Sequence, residues 1–449
     1  MDRVEDMAGR VAVLGGGWAG LAAAVTLAAA GVRATVFEAA RTLGGRARRV
    51  EHDGVALDNG LHILIGAYRE TLRLLRAVNA IGERDPGLLR LPLDLHFPGR
   101  FRLRTPRLPA PFHLLAGLLR AEGLALGERL RAARFMARLR AMDFRLEQDI
   151  GVAALLARFR ESDAARRYLW EPLCVSALNT IPEEASAQVF LNVLRDSLNG
   201  SREDSELLLP MRDLTALFPG PAAEFVRSAG GEVRTGCAAE AVHAASDGFA
   251  VRSAAGEERF EQVVCALPPF RVPEVLAGVP ALSSTRAAID ALRYAPIYSV
   301  YLQYPPGTRL PQPMLGFDGG FAQWAFDRGR LGGQDGLIGV VISARGRHQE
   351  IDQAALATAV QAEIALPYPH LGAPLWTRVI AEKRGTFACT VGVARPAQRT
   401  PVPGLYLAGD YTASPYPATL EAAVRSGVAC ARYAVESLHH GSMQTQRSF

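Results

Sequence analysis

Lysine is almost absent from this chain of 449 residues. Of its fifty basic side chains, only Lys383 is not an arginine. The arginines are spread along the sequence, so the small excess of positive charge forms no basic block of the kind that tracks a nucleic-acid backbone, and no nucleic-acid partner is expected. Cysteine is scarce as well. Cys174, Cys237, Cys265, Cys389 and Cys430 include no C-x-x-C pair, which argues against a disulfide framework or a zinc site and suits a reducing cytoplasm. No uninterrupted apolar run reaches the roughly 20 residues that span a bilayer. The opening segment MDRVEDMAGR is charged and lacks the apolar core of a secretory leader. Also missing are the G-x-S-x-G elbow, the H-E-x-x-H pair and any His/Cys cluster at metal spacing; the nine histidines are dispersed. No metal is therefore expected, and the hard chemistry falls to a bound cofactor.

What is present starts at residue 11. A short apolar strand over 11–14 runs into Gly15-x-Gly17-x-x-Gly20, then a helix of small residues beginning Trp18-Ala19, then a second strand ending at Glu38. The first glycine permits the tight turn, the second lets backbone approach a pyrophosphate, and the third lets helix and strand pack closely. The helix N-terminus offers free N–H groups and a positive dipole end to the phosphates. Glu38, followed by Ala39, stands where a carboxylate accepts bonds from ribose hydroxyls. Strand, helix, second strand and acid in this order predict a dinucleotide site.

Just beyond lies a second glycine turn, Gly44-Gly45-Arg46, suited to the middle of a long cofactor, with Arg46 placed to neutralise a diphosphate. Near the C-terminus, PGLYLAGD (403–410) reads as a strand entering a turn, and PATLEAAVRSG (417–427) as a helix start rich in small residues. Gly409 and Asp410 fit a turn beside ribityl hydroxyls. The helix start at Thr419 and Leu420 fits an electron-rich flavin edge. These motifs, over nearly the whole chain, resemble the FAD-containing amine oxidase and phytoene desaturase superfamily, in which the two ends of the chain meet on one FAD.

The middle narrows the resemblance. DNGLHILIGAYRETL (58–72), WEPLCVSALNT (170–180), ASAQVFLNVLRDS (185–197), SELLLP (205–210) and EKRGTF (382–387) look like the hydroxysqualene dehydroxylases, squalene-associated flavoproteins of bacterial hopanoid pathways. Leu61 departs from that pattern, which has glutamine there, so no polar role is expected of its side chain. The resemblance implies FAD as cofactor. It adds Gly60, Leu61, His62 and the backbone of Ala239 to the cofactor contacts. It also implies an apolar isoprenoid substrate, an outside reductant for the flavin, and a functional link to squalene-pathway synthases.

Length and composition indicate a globular protein larger than one core, and the resemblance implies an α/β fold class. The resemblance implies a Rossmann-like FAD-binding domain (residues 1–75, 201–270 and 391–437) interleaved with an amine oxidase-like α+β substrate domain (76–200, with helices, and 271–390). A polar, frayed tail is expected over 438–449. Within 130–144, apolar residues recur at helical spacing with arginines between them. Two readings stand: a helix packed in the substrate domain, or a face resting peripherally on the inner membrane and admitting an oily substrate.

The resemblance also implies reductive loss of an allylic hydroxyl, a step that needs a general acid because hydroxide leaves poorly. Asp58, His62, Glu171 and Asp196 are the candidates, each with an ordinary structural alternative. Tyr168, Trp170, Phe190, Trp324 and Phe387 are the candidate pocket aromatics. The rival activities are an amine oxidase, a carotenoid-type desaturase, and a non-catalytic FAD-bound scaffold. The strand-like run from Tyr294 offers no lysine of the kind that many amine oxidases set against the flavin.

Overall fold

The computed structural model describes residues 9–82 and 87–446. The charged segment ahead of Gly9 and the last three positions of the expected tail lie outside the described residues. Val11, Ala12, Val13 and Leu14 are wholly buried at the centre of a five-stranded parallel sheet. Its strand order is Glu232–Thr235, Arg33–Glu38, Arg10–Leu14, Gln262–Cys265, Leu405–Leu407. A strand covered on both faces takes a continuous apolar run, which is the pattern of residues 11–14. Helix Trp18–Ala29 packs between helix Pro219–Ser228 and the long C-terminal helix Leu420–Gln446. The last approach is close because Gly427 has no side chain: a Cβ there would lie 2.0 Å from the Ala19 carbonyl oxygen. The C-terminal helix runs on through Gln446, so the frayed tail expected from 438 onward is instead helical to that point.

The second sheet is antiparallel throughout, in the order Met314–Gly316, Trp324–Asp327, Leu337–Ser343, Tyr294–Gln303, Trp376–Phe387. Its last pairing is irregular. Ala295 faces Thr386 but Ile297 faces Glu382, so Lys383, Arg384 and Gly385 bulge out of the ladder. Bulges of this kind re-aim backbone groups, and this one turns the Gly385 carbonyl toward Arg46. A meander of Ala239–Ala245, Gly248–Ser253 and Gly256–Phe260 packs against strands Arg10–Leu14 and Gln262–Cys265 of the parallel sheet. A small sheet of Leu64–Ile65, Leu207–Pro210 and Leu88–Leu91 stitches early and middle segments together. The helical part includes Phe112–Leu119, Leu126–Ala141, Glu171–Leu178 and Ala187–Leu198. Helix Leu126–Ala141 buries Ala132, Phe135 and Leu139, so the arginine-laced segment is packed on one side.

Candidate active site

The glycine turn has the geometry its spacing predicts. Gly15 has φ +105°, and a Cβ on it would meet the Ala266 carbonyl at 2.6 Å. Gly20 lies under Gly15, where a Cβ would sit 1.9 Å from the Gly15 oxygen. Gly17 differs from both: nothing but the Gly45 Cα, at 3.9 Å, is near its missing Cβ, so it borders open space. Glu38 is held by the loops around it. Its Oε2 accepts from the Gly16 N–H at 2.7 Å and its Oε1 from the Ala40 N–H at 2.8 Å. Each oxygen keeps a lone pair for a hydroxyl donor. The Trp18 indole donates to the Ala47 carbonyl at 3.0 Å and fixes the second glycine turn against the first helix.

One cavity of about 700 Å³ starts at this turn. Every residue expected to contact the cofactor lies on its wall except Gly20 and Gly60. Gly20 acts through packing, and Gly60 contributes a carbonyl that accepts from His62 Nδ1 at 2.7 Å. The two ends of the chain meet directly. Arg46 Nη2 donates to Asp410 Oδ1 at 2.6 Å, and Nη1 donates to the bulged Gly385 carbonyl at 2.7 Å. Burial pulls the Arg46 guanidinium toward lower pKa, and Asp410 more than reverses that, leaving it above the ordinary value. The two residues read from the sequence as separate contacts, one to a diphosphate and one to a ribityl chain, thus pair with each other. Leu61 fills a space left by Gly339, where a Cβ would lie 2.8 Å from Leu61 Cδ1. Beyond the glycine turn the wall becomes apolar, with Phe190, Leu194, Met314, Trp324, Phe326 and Val341.

Several candidates lie elsewhere. Asp58 is buried away from the cavity wall. Its Oδ1 accepts from the Leu214 N–H at 2.8 Å, and Oδ2 lies 3.5 Å from Arg328 Nη2. Burial pushes its carboxyl up to about 6, against the opposing pull of Arg328. It joins strand Val55–Asp58 to neighbouring segments and does not face the cavity. Glu171 faces Arg166 at 3.4 Å, off the cavity wall. Trp170 packs edge-on against Phe135 and donates to Glu161 Oε2 at 2.7 Å, so it belongs to the core. Tyr168 stacks on Phe101, and Phe387 is buried beneath the Arg395 guanidinium. Of the five aromatics, only Phe190 and Trp324 reach the cavity. The Trp324 indole is oriented by the Ser176 hydroxyl at 2.9 Å.

His62 and Asp196 do face the cavity. Burial lowers the His62 pKa, so the ring is neutral near pH 7. Its contact with a carbonyl makes Nδ1 the protonated nitrogen and leaves Nε2 an acceptor. His62 is therefore no ground-state proton donor at Nε2. Asp196 accepts from Arg195 Nε at 2.8 Å and from the Tyr416 hydroxyl at 2.6 Å. Tyr416 also lines the cavity, and burial with the Asp196 bond pushes its phenol up to about 12. Sequence reasoning missed Tyr416; the only signal was its place one residue before the small-residue helix start. It also missed Tyr411, whose buried hydroxyl has no partner although the residue lines the cavity.

This donor set fits a flavin dinucleotide. There is open backbone beside Gly17 for phosphates, a carboxylate at Glu38 for a ribose, an orphaned phenol at Tyr411, and a helix start at Leu420. Among the described residues no group of three His, Cys, Asp or Glu is arranged to hold a metal.

Comparison with known proteins agrees. Residues 18–435 match the flavin containing amine oxidoreductase family. The hydroxysqualene dehydroxylase of Rhodopseudomonas palustris is 30% identical over 94% of this chain and 97% of its own length. That of Zymomonas mobilis is 27% identical, covering 94% of this chain and 98% of the relative. A putative protoporphyrinogen oxidase from Exiguobacterium shares the fold, with a TM-score of 0.68 at 18% identity over 95% of this chain and 98% of that one. A dinucleotide cradle closed by both ends of one chain, opening into an apolar chamber, is the arrangement such flavoproteins need, and this chain belongs to the flavin-containing amine oxidoreductase family as an FAD-dependent oxidoreductase similar to the hydroxysqualene dehydroxylases.

Proposed function

We propose that the protein reductively removes the hydroxyl of hydroxysqualene, giving squalene and water. The carbon–oxygen bond breaks, the oxygen leaves with a proton, and a hydride takes its place. Reduced flavin supplies that hydride when bound, and an outside donor restores it. The observation that carries this reading is the composition of the cavity beyond the cofactor cradle. Phe190, Leu194, Met314, Trp324, Phe326 and Val341 suit an isoprenoid chain, and no lysine lies on the wall. Lys383 is exposed on the bulge of strand Trp376–Phe387, which weighs against the amine oxidase alternative.

The residues then divide the work. The apolar wall binds the chain and keeps water from the allylic cation that forms as the hydroxyl departs; water would return alcohol. Tyr416 presents its phenol oxygen to the cavity. Its phenol stays protonated at neutral pH and is oriented by Asp196. With that proton donated in the bond to Asp196, the phenol oxygen keeps lone pairs that accept from the substrate hydroxyl and hold it in place. Asp196 acts through Tyr416, and neutral His62 offers an acceptor at Nε2.

The test is anaerobic incubation of the holoenzyme with hydroxysqualene and a chemical reductant of flavin. Squalene is expected. Conjugated absorbance from phytoene would favour a desaturase instead, hydrogen peroxide from amines an oxidase, and flavin binding without turnover a scaffold. Tyr416→Phe, which removes that acceptor, is expected to raise KM for hydroxysqualene.

A further inference from the structure

Helix Phe112–Leu119 reads FHLLAGLL and contains no charged side chain. Its inner face is packed: His113, Gly117 and Leu118 are buried, and His113 Nε2 lies 3.1 Å from the Ser205 hydroxyl. Its outer face is equally apolar yet open. Phe112 is 58% exposed and Leu115 45%, with Leu108 at 40% just ahead of the helix. A helix apolar all round is normally buried on every side, in protein or in lipid. Here one side has nothing over it among the described residues.

Arginines border this face. Arg107 directly precedes Leu108, and Arg120 follows the last turn. Neither has an acidic partner among the described residues. Arg107 also lines a second cavity, of about 690 Å³, separate from the cofactor site. Its other cations are Arg69, Arg76, Arg90 and Arg202. Three of these are balanced: Arg69 by Asp204 at 3.1 Å, Arg90 by Glu206 at 2.7 Å and Arg202 by Glu203 at 2.8 Å. Arg76 and Arg107 are left over, so the cleft has two positive charges to offer an anion.

The cleft and the cofactor cavity share a wall. Gly66 lines the cleft while Ile65, Ala67 and Tyr68 line the cavity; across from them, Glu203 faces the cleft and Ser205 the cavity. The apolar helix is anchored on that same Ser205. No helix among the described residues is long and apolar enough to cross a membrane, so contact with a bilayer would be made from one side.

We propose that Leu108, Phe112 and Leu115 insert into one leaflet of an anionic phospholipid bilayer while Arg76 and Arg107 take a lipid phosphate in the adjoining cleft. Exposed apolar side chains flanked by uncompensated arginines are the chemistry of an interfacial helix. The guanidinium groups meet the headgroups, and the rings and leucines lie below them.

Flotation of the holoenzyme with vesicles tests this. Vesicles of phosphatidylcholine with phosphatidylglycerol should carry the protein up; phosphatidylcholine alone should hold it more weakly. Arg76→Ala with Arg107→Ala should weaken binding to the anionic vesicles roughly thirty-fold, at the usual contribution of two arginines near such a surface. Phe112→Ser with Leu115→Ser should weaken binding to both vesicle types by roughly tenfold or more. Retained visible flavin absorbance shows that each variant is folded. Wild-type protein that fails to float overturns the proposal, as does equal flotation of wild type and both variants. So does a cleft that binds inorganic phosphate while the protein ignores vesicles, which would make it a site for free anions. Binding is read without substrate, so its failure would leave the dehydroxylation reading standing, and failure to form squalene would leave the docking surface standing.

Discussion

Glu421 ties the C-terminal helix to helix Arg69–Ala77, and replacing it with glutamine isolates what the second carboxylate oxygen does. The residue is 1% exposed. Its Oε1 accepts from the Glu70 N–H at 3.1 Å and from Arg425 Nε at 2.7 Å. Its Oε2 accepts from the Thr71 N–H at 2.9 Å and the Thr71 hydroxyl at 2.7 Å. In Glu421→Gln an NH2 group replaces one oxygen. Turned toward Thr71, it confronts a backbone N–H that has no other orientation, although the hydroxyl can rotate and accept. Turned the other way, it confronts both Glu70 N–H and Arg425. The cheaper choice strands one buried backbone donor, at about 1–3 kcal/mol, and weakens a charge-assisted bond. We expect about 2–3 kcal/mol of lost stability for glutamine and about 3–5 kcal/mol for alanine, which strands all three helix donors. Urea unfolding of the apoprotein, followed by tryptophan fluorescence, measures both. A glutamine variant within about 0.5 kcal/mol of wild type, or one as damaged as alanine, would refute the oxygen-by-oxygen account.

Gly17→Val places a branched side chain in the open space beside the first helix; the purified protein is expected to lose its yellow colour, and full retention of FAD would put the phosphates elsewhere. For Asp58, the folded carboxyl titrates near 6, above its ordinary 3.8. The native state therefore binds more protons than the unfolded chain between those values, and this group's contribution to stability falls as pH rises through that window. Asp58→Asn, which resembles the neutral acid, is expected to match wild type near pH 4 and to exceed it by up to roughly 3 kcal/mol at pH 8. Destabilisation at pH 8 in calorimetry would show that the Arg328 contact outweighs burial. Phe190→Ala should raise KM for hydroxysqualene and, because the ring is wholly buried, lower stability by about 3–5 kcal/mol. Trp170→Phe should lower stability by about 1–3 kcal/mol through the unpaired Glu161, with KM unchanged; a KM effect from Trp170 instead would return it to the pocket.

The cofactor cradle was legible because its requirements are local. Gly15, Gly17 and Gly20 answer to backbone approach within six positions, and Glu38 follows after one helix and one strand. The meeting of the two chain ends was legible only through resemblance, and the pairing of Arg46 with Asp410, 364 positions apart, was not legible at all. Aromatics were misplaced because membership of a motif does not say which face of a helix a side chain takes. Trp170 turns into the core, while Phe190 and Trp324, on other elements, form the wall. Tyr416 and Glu421 escaped notice because their partners, Asp196 and Thr71, lie 220 and 350 positions away. No local pattern encodes a hydrogen bond of that span.

Because the edge strand Leu405–Leu407 and the helix that follows complete the parallel sheet begun at Arg10, the ribosome must deliver nearly all of this polypeptide before FAD has anywhere to settle. Folding of the first glycine turn and capture of its ligand are separated by the synthesis of almost four hundred intervening residues. A nascent chain stalled short of Leu405 would be colourless however well its first strands had formed. Flavin supply during growth should therefore govern the yield of completed molecules, not the survival of partial ones.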